Sequence, residues 1–551
     1  MSKDKKTPPH GLDTPWHAAI GQLTGGISPT SVATAYLDWW LHLFGSPEKQ
    51  LQLAQTAMRE GLSPTDRQDP RFADPAWSVF PYNVFAQSFL SAENWWDEAT
   101  RGLPGVDPKH ERIVNFAARQ WLDLMSPANY ALTNPIVQER TREEGGRNLA
   151  RGARYWVEDF NRLISKSPRQ SEKYKVGRDL ALTPGDVVMR NDLVELIRYR
   201  PTTEKLHPEP ILIVPAWIMK FYILDLTAER SLVAYLRDQG FEVFILSWKN
   251  PGEDDADLSM QDYIDLGVRA AITQILSMGH KRLHAAGYCL GGTLLAITAA
   301  ALARDKDDCL ASISLLAAQT DFSEPGELGL FINESEVAFL EDIMATNGYL
   351  TADQMAGAFQ LLRSNDLIWS RVIRHYLLGE RTPDNPLLAW NSDTTRMPAR
   401  MHSEYLRSLF LRNDLAKGRF KVDGAAVALS DIRKDVYCVA TETDHVSPWT
   451  SVYRLLLLTD TDVTFVLTNG GHNSGILSQP GHDGRHFRFG HKAEGDTYVT
   501  DDNWLAHHKP RNGSWWPNWV RWLKKRSGRS IKLRAGSVPS LAPAPGLYVH
   551  G

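Results

Sequence analysis

The chain has 551 residues, 43% of them hydrophobic and 23% charged, and its formal net charge is -4. This composition is typical of a globular protein, and the slightly negative charge argues against a nucleic-acid partner. The length exceeds what one hydrophobic core usually organises, so it favours two domains.

The cysteine count and the N-terminal segment indicate the compartment. The chain has three cysteines, Cys289, Cys309 and Cys438, too few for a disulfide framework and without metal-ligand spacing. The first residues, MSKDKKTPPHGLDTPW, lack the apolar run of a secretory signal, and no apolar run elsewhere is long enough to span a membrane. We therefore expect a cytoplasmic protein without a transmembrane segment or metal.

In chain order, the first part of the sequence predicts a mainly helical domain over residues 1–184. Residues 1–30 are rich in Pro, Gly, Thr and Lys and are expected to be disordered. From 31 to 165, segments such as SVATAYLDWWLHLF and RIVNFAARQWLDLM place apolar residues three and four apart, which is typical of helices. No chemically reactive residues cluster there, so a structural or docking role is expected.

From 185 to 551 the pattern predicts an α/β domain with a doubly wound, mostly parallel sheet. The segment DVVMRNDLVELIRYRP alternates like two strands and a turn. Short apolar runs then alternate with helical segments, at 210–217, 241–248, 282–288, 310–318, 435–443 and 463–469. Between the fourth and fifth of these runs, residues 322–420 interrupt the alternation and are predicted to form an inserted cap.

A nucleophile elbow is predicted where the strand at 282–288 meets the next helix. Gly287-Tyr288-Cys289-Leu290-Gly291 has the G-x-nucleophile-x-G pattern, with Cys289 as the nucleophile. Gly287 and Gly291 leave room for strand and helix to approach at a strained turn. The amides and dipole of the following helix favour a thiolate and help to stabilise an oxyanion. The alternative is a buried structural cysteine in a glycine-rich turn.

The partners of this nucleophile are expected in the order acid, then histidine, further along the chain. Asp444 directly follows the strand at 435–443, and His472 follows the strand at 463–469. We interpret His472 as the general base and Asp444 as the residue that orients it or assists the acyl acceptor. His445 either supports the acid or is structural. The oxyanion hole is expected from the amide of Leu290 and that of Trp217 or Ile218.

Cysteine in place of serine bears on the reaction. A cysteine thioester is close in energy to a coenzyme A thioester, so acyl groups can pass between them without a steep drop in free energy. This favours acyl transfer, although some hydrolases of this type also use cysteine. An esterase, a thioesterase, a polyester depolymerase and an inactive scaffold remain the alternatives at this point.

Many long strings of the chain resemble those of polyhydroxyalkanoate synthases, from about residue 65 to the end. They include RFADPAWS (71–78), SPANYALTNP (126–135), KFYILDL (220–226), WNSDTTRMP (390–398), TDHVSPW (443–449), GSWWPNW (513–519) and PAPGLYV (543–549). The motif GYCLGG is most similar to the single-subunit, short-chain members, such as poly-3-hydroxybutyrate synthases. Fold and order of the strings agree with an α/β-hydrolase superfamily member.

The resemblance implies a function and a set of partners. It implies a polymerase that takes (R)-3-hydroxyacyl-CoA, loads the acyl group on Cys289, extends a polyester and releases coenzyme A, with no cofactor. The family's catalytic residues fall on Cys289, Asp444 and His472, and a tryptophan linked to subunit contact or the active site falls on Trp390. The resemblance also implies a homodimer on the surface of polymer granules. The 18 tryptophans then have two interpretations, helix packing or a contact surface for an apolar partner.

Two departures from the family lie near the expected site. Residues 215–220 read PAWIMK where the family usually has P-P-x-I-N-K, and residues 470–473 read GGHN where S-G-H-I is common. These changes leave the predicted chemistry intact and bear on substrate preference and specific activity.

Overall fold

A computed structural model describes residues 13–24, 26–60, 69–165, 173–351, 354, 368–532 and 539–551. The chain folds into two compact units. One comprises Met1–Pro15, Gln170–Ala352 and Asp384–Gly551, and the other comprises Trp16–Arg169 and Asp353–Pro383. The segment predicted as one continuous cap, 322–420, is thus divided, because its middle part groups with the N-terminal helices.

Seven helices form most of the described N-terminal part of the chain. They are α1 (Asp13–Thr24), α2 (Pro29–Phe44), α3 (Pro47–Glu60), α4 (Tyr82–Thr100), α5 (Pro108–Met125), α6 (Pro135–Glu143) and α7 (Arg147–Ile164). Side chains before prolines start several of them: Ser28, Asp107 and Asn134 each accept a hydrogen bond from a backbone N–H of the first turn. Helix α1 contradicts the prediction of disorder for 13–24; residues 1–12 lie outside the described residues.

The α/β unit is built on a mixed sheet whose described part has 11 strands. The longer strands are β1 (Gly185–Arg190), β2 (Val194–Tyr199), β4 (Ile211–Val214), β5 (Val243–Trp248), β6 (Leu283–Tyr288), β7 (Leu310–Leu316), β12 (Val436–Thr441), β13 (Val463–Thr468) and β14 (His486–Lys492). Two short strands, β15 (Arg511–Asn512) and β17 (Ala542–Pro543), complete this sheet. The other short strands form three separate pairs: β3 (Lys205–Leu206) with β16 (Ile531–Lys532), β8 (Tyr349–Leu350) with β9 (Met397–Pro398), and β10 (Lys421–Val422) with β11 (Ala425–Ala426).

The order across the sheet is β15-β14-β13-β12-β7-β6-β4-β5-β2-β1-β17. The middle of this order, from β13 to β5, is parallel, and the strands outside it pair antiparallel. All six parallel strands, together with β1 and β2, match the predicted ones. Strand β14, which pairs antiparallel with β13, was missed because its sequence, HFRFGHK, lacks a continuous apolar run. The proline-rich tail contributes β17 beside β1.

Helices connect and cover the parallel strands. They are α8 (Leu232–Asp238), α9 (Met260–Asp262), α10 (Ala270–Ser277), α11 (Leu290–Arg304), α12 (Glu334–Asn347), α13 (Pro386–Asn391), α14 (Ala399–Tyr405), α15 (Trp449–Tyr453), α16 (Leu455–Leu458), α17 (Asp501–His507) and α18 (Trp516–Lys525). A π-helical stretch, Tyr263–Arg269, links α9 to α10, and another, Leu406–Leu411, follows α14. Among the described residues, no helix combines the length and the apolar character needed to cross a bilayer.

The main core of this unit lies between the parallel strands and their helices. Trp515, Trp516 and Trp519 are completely buried in it. The indole N–H groups of Trp515 and Trp516 donate to the carbonyls of Gly475 and Ile476 at 3.0 and 2.9 Å. These tryptophans therefore serve helix packing, and they hold the chain segment that follows His472.

Candidate active site

Cys289 occupies a strained turn between β6 and α11. Its backbone angles are φ 52° and ψ -125°, a conformation that a non-glycine residue adopts only when its surroundings impose it. Its N–H donates to the carbonyl of Leu316 on β7 at 2.9 Å, and its own carbonyl accepts from Gly292. The sheet and the first turn of the helix together hold the turn in place, so the predicted elbow is present.

The glycines of the motif are required by close backbone contacts. A Cβ atom on Gly287 would lie 2.4 Å from the Cα of Gly292. A Cβ atom on Gly291 would lie 2.1 Å from the carbonyl oxygen of Val214 and 2.5 Å from that of Pro215. The loop after β4 therefore packs directly against the start of α11, next to Leu290.

His472 and Asp444 form a hydrogen-bonded pair beside the elbow. Nδ1 of His472 lies 2.8 Å from Oδ2 of Asp444. The other carboxylate oxygen accepts the backbone N–H groups of Val446 and Ser447 at 2.9 and 2.8 Å, and Thr441 donates its hydroxyl to Oδ2. Three donors besides the histidine therefore orient this carboxylate.

The electrostatics favour an ion pair within the site. Burial opposes charge on Asp444, but the His472 charge, the hydrogen bond between them and the two N–H groups lower the pKa of this carboxyl. Burial likewise opposes charge on His472, but Cys289 and Asp444, through charge and hydrogen bonding, raise the pKa of the imidazole well above its usual value. The structure thus brings the three residues predicted as a triad together.

Cys289 is only 8% exposed, and an aromatic cluster that includes Tyr405 lies near it. Trp217 packs edge-on against Tyr263 and Tyr405, with ring centroids 5.5 and 6.2 Å apart. Tyr405 also contacts Phe322 at 6.3 Å, and burial together with the charge on Cys289 raises the pKa of Tyr405 well above its usual value. Both Phe322 and Tyr405 come from the interrupting segment, so that segment contributes aromatic rings to the surroundings of Cys289.

The loop after β4, which carries Trp217 and Ile218, is held by a residue that the sequence did not single out. The Thr395 hydroxyl donates to the carbonyl of Trp217 at 2.6 Å, and its N–H donates to that of Ile218 at 3.2 Å. Pro215 is held in the same way, because its carbonyl accepts the indole N–H of Trp248 at 2.9 Å. The backbone orientation of this loop is therefore determined by long-range hydrogen bonds.

Trp390 and His445 were predicted less specifically. Trp390 is 3% exposed and donates its indole N–H to the carbonyl of Lys220 at 2.8 Å. It lies in the core beside the loop after β4, and its role in subunit contact or at the active site stays a prediction. His445 is half-buried next to Asp444, and the partner of the His472 Nδ1 atom is Asp444.

Two further residues approach the imidazole. The Tyr288 ring stacks on that of His472 with centroids 5.6 Å apart and planes 29° apart. The Tyr288 hydroxyl donates to Oδ1 of Asn473 at 2.5 Å. The only signal for them in the sequence is adjacency to Cys289 and His472. Among the described residues, no cluster of three side chains suited to binding a metal was found.

The parallel sheet, the strained elbow and the chain order Cys289, Asp444, His472 define a protein of the α/β-hydrolase fold. A family model described as "alpha/beta hydrolase fold" matches residues 209–478. Models for the N-terminus of poly-beta-hydroxybutyrate polymerase match residues 68–236 and 7–49.

Relatives cover almost the whole chain. A poly(3-hydroxyalkanoate) polymerase of Methylorubrum extorquens is 40% identical, over 95% of this chain and 89% of its own length. The polymerase subunits PhaC of Rhizobium meliloti and Cupriavidus necator are 34% and 35% identical, over 95% and 87% of this chain and 85% and 83% of their own lengths. The chain therefore belongs to the poly(3-hydroxyalkanoate) polymerase family and is an acyltransferase.

Solved structures resemble the chain more distantly. A soluble variant of monoglyceride lipase from Saccharomyces cerevisiae is 11% identical, with a TM-score of 0.35, over 65% of this chain and 99% of that one. A likeness this low adds nothing to the family assignment.

Proposed function

We propose that the chain polymerises (R)-3-hydroxyacyl-CoA into a polyester through a thioester on Cys289, with release of coenzyme A. The observation that carries the proposal is the arrangement of Cys289 at a strained elbow beside the His472–Asp444 pair. The single-subunit type and a preference for short acyl chains belong to the same proposal. Coenzyme A takes part as carrier and leaving group, and no cofactor is needed.

In the loading step, His472 takes the proton of Cys289 and the sulfur attacks the thioester carbonyl of the substrate. The bond from the carbonyl carbon to the coenzyme A sulfur breaks, and that sulfur receives the proton. Since Nδ1 of His472 is held by Asp444, Nε2 is the nitrogen that exchanges protons with the sulfur. The raised pKa of His472 supports this role, because it favours the imidazolium beside a thiolate.

In the extension step, the hydroxyl of a second 3-hydroxyacyl group attacks the carbonyl of the acyl-enzyme. His472 takes the hydroxyl proton, an ester bond forms, and the Cys289 sulfur leaves and is reprotonated. Asp444 holds the imidazole in the required tautomer or assists this deprotonation. His445 is proposed to support Asp444 in that task.

The oxyanion of both steps is stabilised by the N–H of Leu290 and by that of Trp217 or Ile218. Leu290 begins α11, so its N–H has no acceptor within the helix. Contact of Gly291 with the carbonyls of Val214 and Pro215 brings the second loop beside Leu290. Thr395 fixes this loop and is therefore proposed as its positioning residue.

Enclosure of Cys289 favours transfer over hydrolysis. An acyl-enzyme is hydrolysed when water reaches its carbonyl, and covering the site excludes water. Tyr405, which lies near Cys289 and packs against Trp217 and Phe322, is proposed to contribute to this cover. A hydroxyl brought in on a substrate then meets less competition from water.

Granule association and a homodimer are proposed for the assembly. The helical unit exposes several large apolar side chains, whereas a typical monomeric protein buries most of its large apolar side chains. Among them are Phe44, Phe80, Trp121 and Leu132, at 73%, 78%, 69% and 88% exposure. Such a surface suits contact with an apolar polyester.

The test is incubation of the purified protein with (R)-3-hydroxybutyryl-CoA, with thiol release followed in time and products analysed by mass. We expect thiol release with a growing insoluble polyester, lost in Cys289→Ala and retained in Cys309→Ala, a matched control at 5% exposure. Thiol release with only free 3-hydroxybutyrate would assign a thioesterase instead. Activity in Cys289→Ala would contradict the thioester mechanism.

A further inference from the structure

Hydrogen bonds to Asp444 and Cys289 hold the ring of His472 at its edge. These bonds fix the positions of the ring nitrogens but leave the ring plane free to turn about the line that joins them. Tyr288 contacts the face of the ring, since its own ring stacks on the imidazole with centroids 5.6 Å apart. Tyr288 directly precedes Cys289, so the same turn positions the nucleophile and this ring.

The hydroxyl end of Tyr288 is also held. It donates to Oδ1 of Asn473 at 2.5 Å, and Asn473 directly follows His472. Burial, with the charges of Cys289 and Asp444, raises the pKa of Tyr288 well above its usual value, so the phenol stays neutral and remains a donor. A neutral aromatic face also stabilises an imidazolium stacked on it.

The turn around His472 completes the arrangement. The Gly471 N–H donates to Oγ of Ser474 at 3.0 Å, and the Asn473 carbonyl accepts the N–H of Leu477 at 3.0 Å. Asn473 is therefore anchored through its backbone when it accepts from Tyr288. The hydrogen bond between Tyr288 and Asn473 therefore connects the turn that carries Cys289 to the turn that carries His472.

We propose that Tyr288 and Asn473 are positioning residues, a hydrogen-bonded clamp that fixes the imidazole plane of His472 relative to the sulfur of Cys289. The inference rests on the proposed function and assigns a role to one of the two departures from the family, since Asn473 stands where isoleucine is common. An isoleucine side chain cannot accept a hydrogen bond from the Tyr288 hydroxyl, so this clamp depends on the asparagine at position 473.

The experiment compares Tyr288→Phe, Asn473→Ile and the double variant with the wild type. Tyr288→Phe keeps the stacked ring and removes only the hydroxyl. The matched control is Tyr453→Phe, because Tyr453 is also buried and donates its hydroxyl to a backbone carbonyl, that of Val499, at 2.8 Å. The readouts are kcat and KM for coenzyme A release, and the rate of Cys289 alkylation by iodoacetamide, measured by peptide mass.

We expect each single variant to lower kcat and the alkylation rate by roughly 3- to 10-fold, as for loss of one hydrogen bond, with KM unchanged. The double variant should be no slower than the slower single variant, because both changes remove the same bond. Tyr453→Phe should change neither rate. Additive effects in the double variant, or equal slowing by Tyr453→Phe, would overturn the clamp.

Alkylation separates this inference from the proposed function. If the wild type fails to make polyester but Cys289 alkylation slows non-additively in the variants, the proposed function is wrong and the clamp stands. If polyester forms and both variants alkylate and turn over like the wild type, the clamp is wrong and the function stands.

Discussion

Nδ1 of His472 lies 2.8 Å from Oδ2 of Asp444, and the backbone of Val446 and Ser447 holds the opposite carboxylate oxygen. These backbone hydrogen bonds orient the Asp444 carboxylate, and the carboxylate in turn orients the ring of His472. Removal of its charge should consequently affect the reaction more than it affects the fold.

Asp444→Asn is expected to lower the rate of coenzyme A release by about 10²- to 10⁴-fold, because the amide stabilises the wrong tautomer of His472 and cannot stabilise its charge. The measurement is initial thiol release at saturating substrate. Asp483→Asn, in an exposed loop, is the control and should behave like the wild type. A comparable loss in both variants would contradict the assigned role.

The pH dependence of stability has a defined sign. Burial opposes the charge on His472, but Cys289 and Asp444 raise its folded-state pKa. Stability from its charge is thus fully present below the unfolded-state pKa of about 6.5 and is lost as pH rises through the folded-state pKa. The Asp444 pKa is lowered, so its contribution is present above about pH 3.9 and is lost as pH falls through the folded-state pKa.

The comparison of wild type with His472→Gln tests this sign. The difference in urea midpoint should be largest between about pH 4 and 6.5 and should shrink above that range. Unfolding followed by tryptophan fluorescence at pH 5.5 and at pH 9 provides the two values. A difference that grows towards pH 9 would contradict the raised pKa of His472.

Gly291→Ala should disrupt the elbow. The new Cβ would lie 2.1 Å from the carbonyl oxygen of Val214, and a backbone atom there cannot move aside cheaply. We expect a loss of about 3 kcal/mol or more in stability, or loss of soluble protein. The thermal midpoint and the soluble yield measure it. Gly252→Ala is the control, since its Cβ would meet only Asp255 at 4.0 Å; equal effects would show that crowding is not the cause.

Thr395→Val removes the hydrogen bond to the carbonyl of Trp217 while nearly preserving the side-chain shape. Since this bond orients the proposed oxyanion loop, we expect kcat to fall roughly 10-fold with little change in KM. Thr461→Val is matched, because Thr461 is buried and donates to the carbonyl of Lys434. The measurement is kcat and KM for coenzyme A release by both variants. A rise in KM alone for Thr395→Val would contradict the positioning role and indicate an effect on substrate binding instead.

Trp390→Ala should act through the core. The buried indole and its bond to Lys220 predict a loss of about 3–5 kcal/mol in stability, with the oligomeric state unchanged. Chemical unfolding and sedimentation velocity measure the two quantities. A variant with an unaltered unfolding midpoint and a changed oligomeric state would support the interpretation as a subunit contact instead.

By itself, the sequence determined the parallel strands and the positions of the elbow, the acid and the histidine. Most of the buried parallel strands are short, nearly continuous apolar runs, and the strained elbow requires glycine at Gly287 and Gly291, so both features are visible in the local sequence. The helical N-terminal region was predictable for the same reason, through its three- and four-residue spacing.

Only the tertiary structure decided which distant residues meet these local motifs. Thr395 reaches the loop of Trp217 from 178 positions away, and Asn473 reaches Tyr288 from 185 positions away. Neither partner carries a local pattern, because a single hydrogen bond imposes no periodicity on the chain around it. The burial of Trp390 and the strand β14 could not be predicted for the same reason: their environment is created by neighbours that are adjacent only after folding.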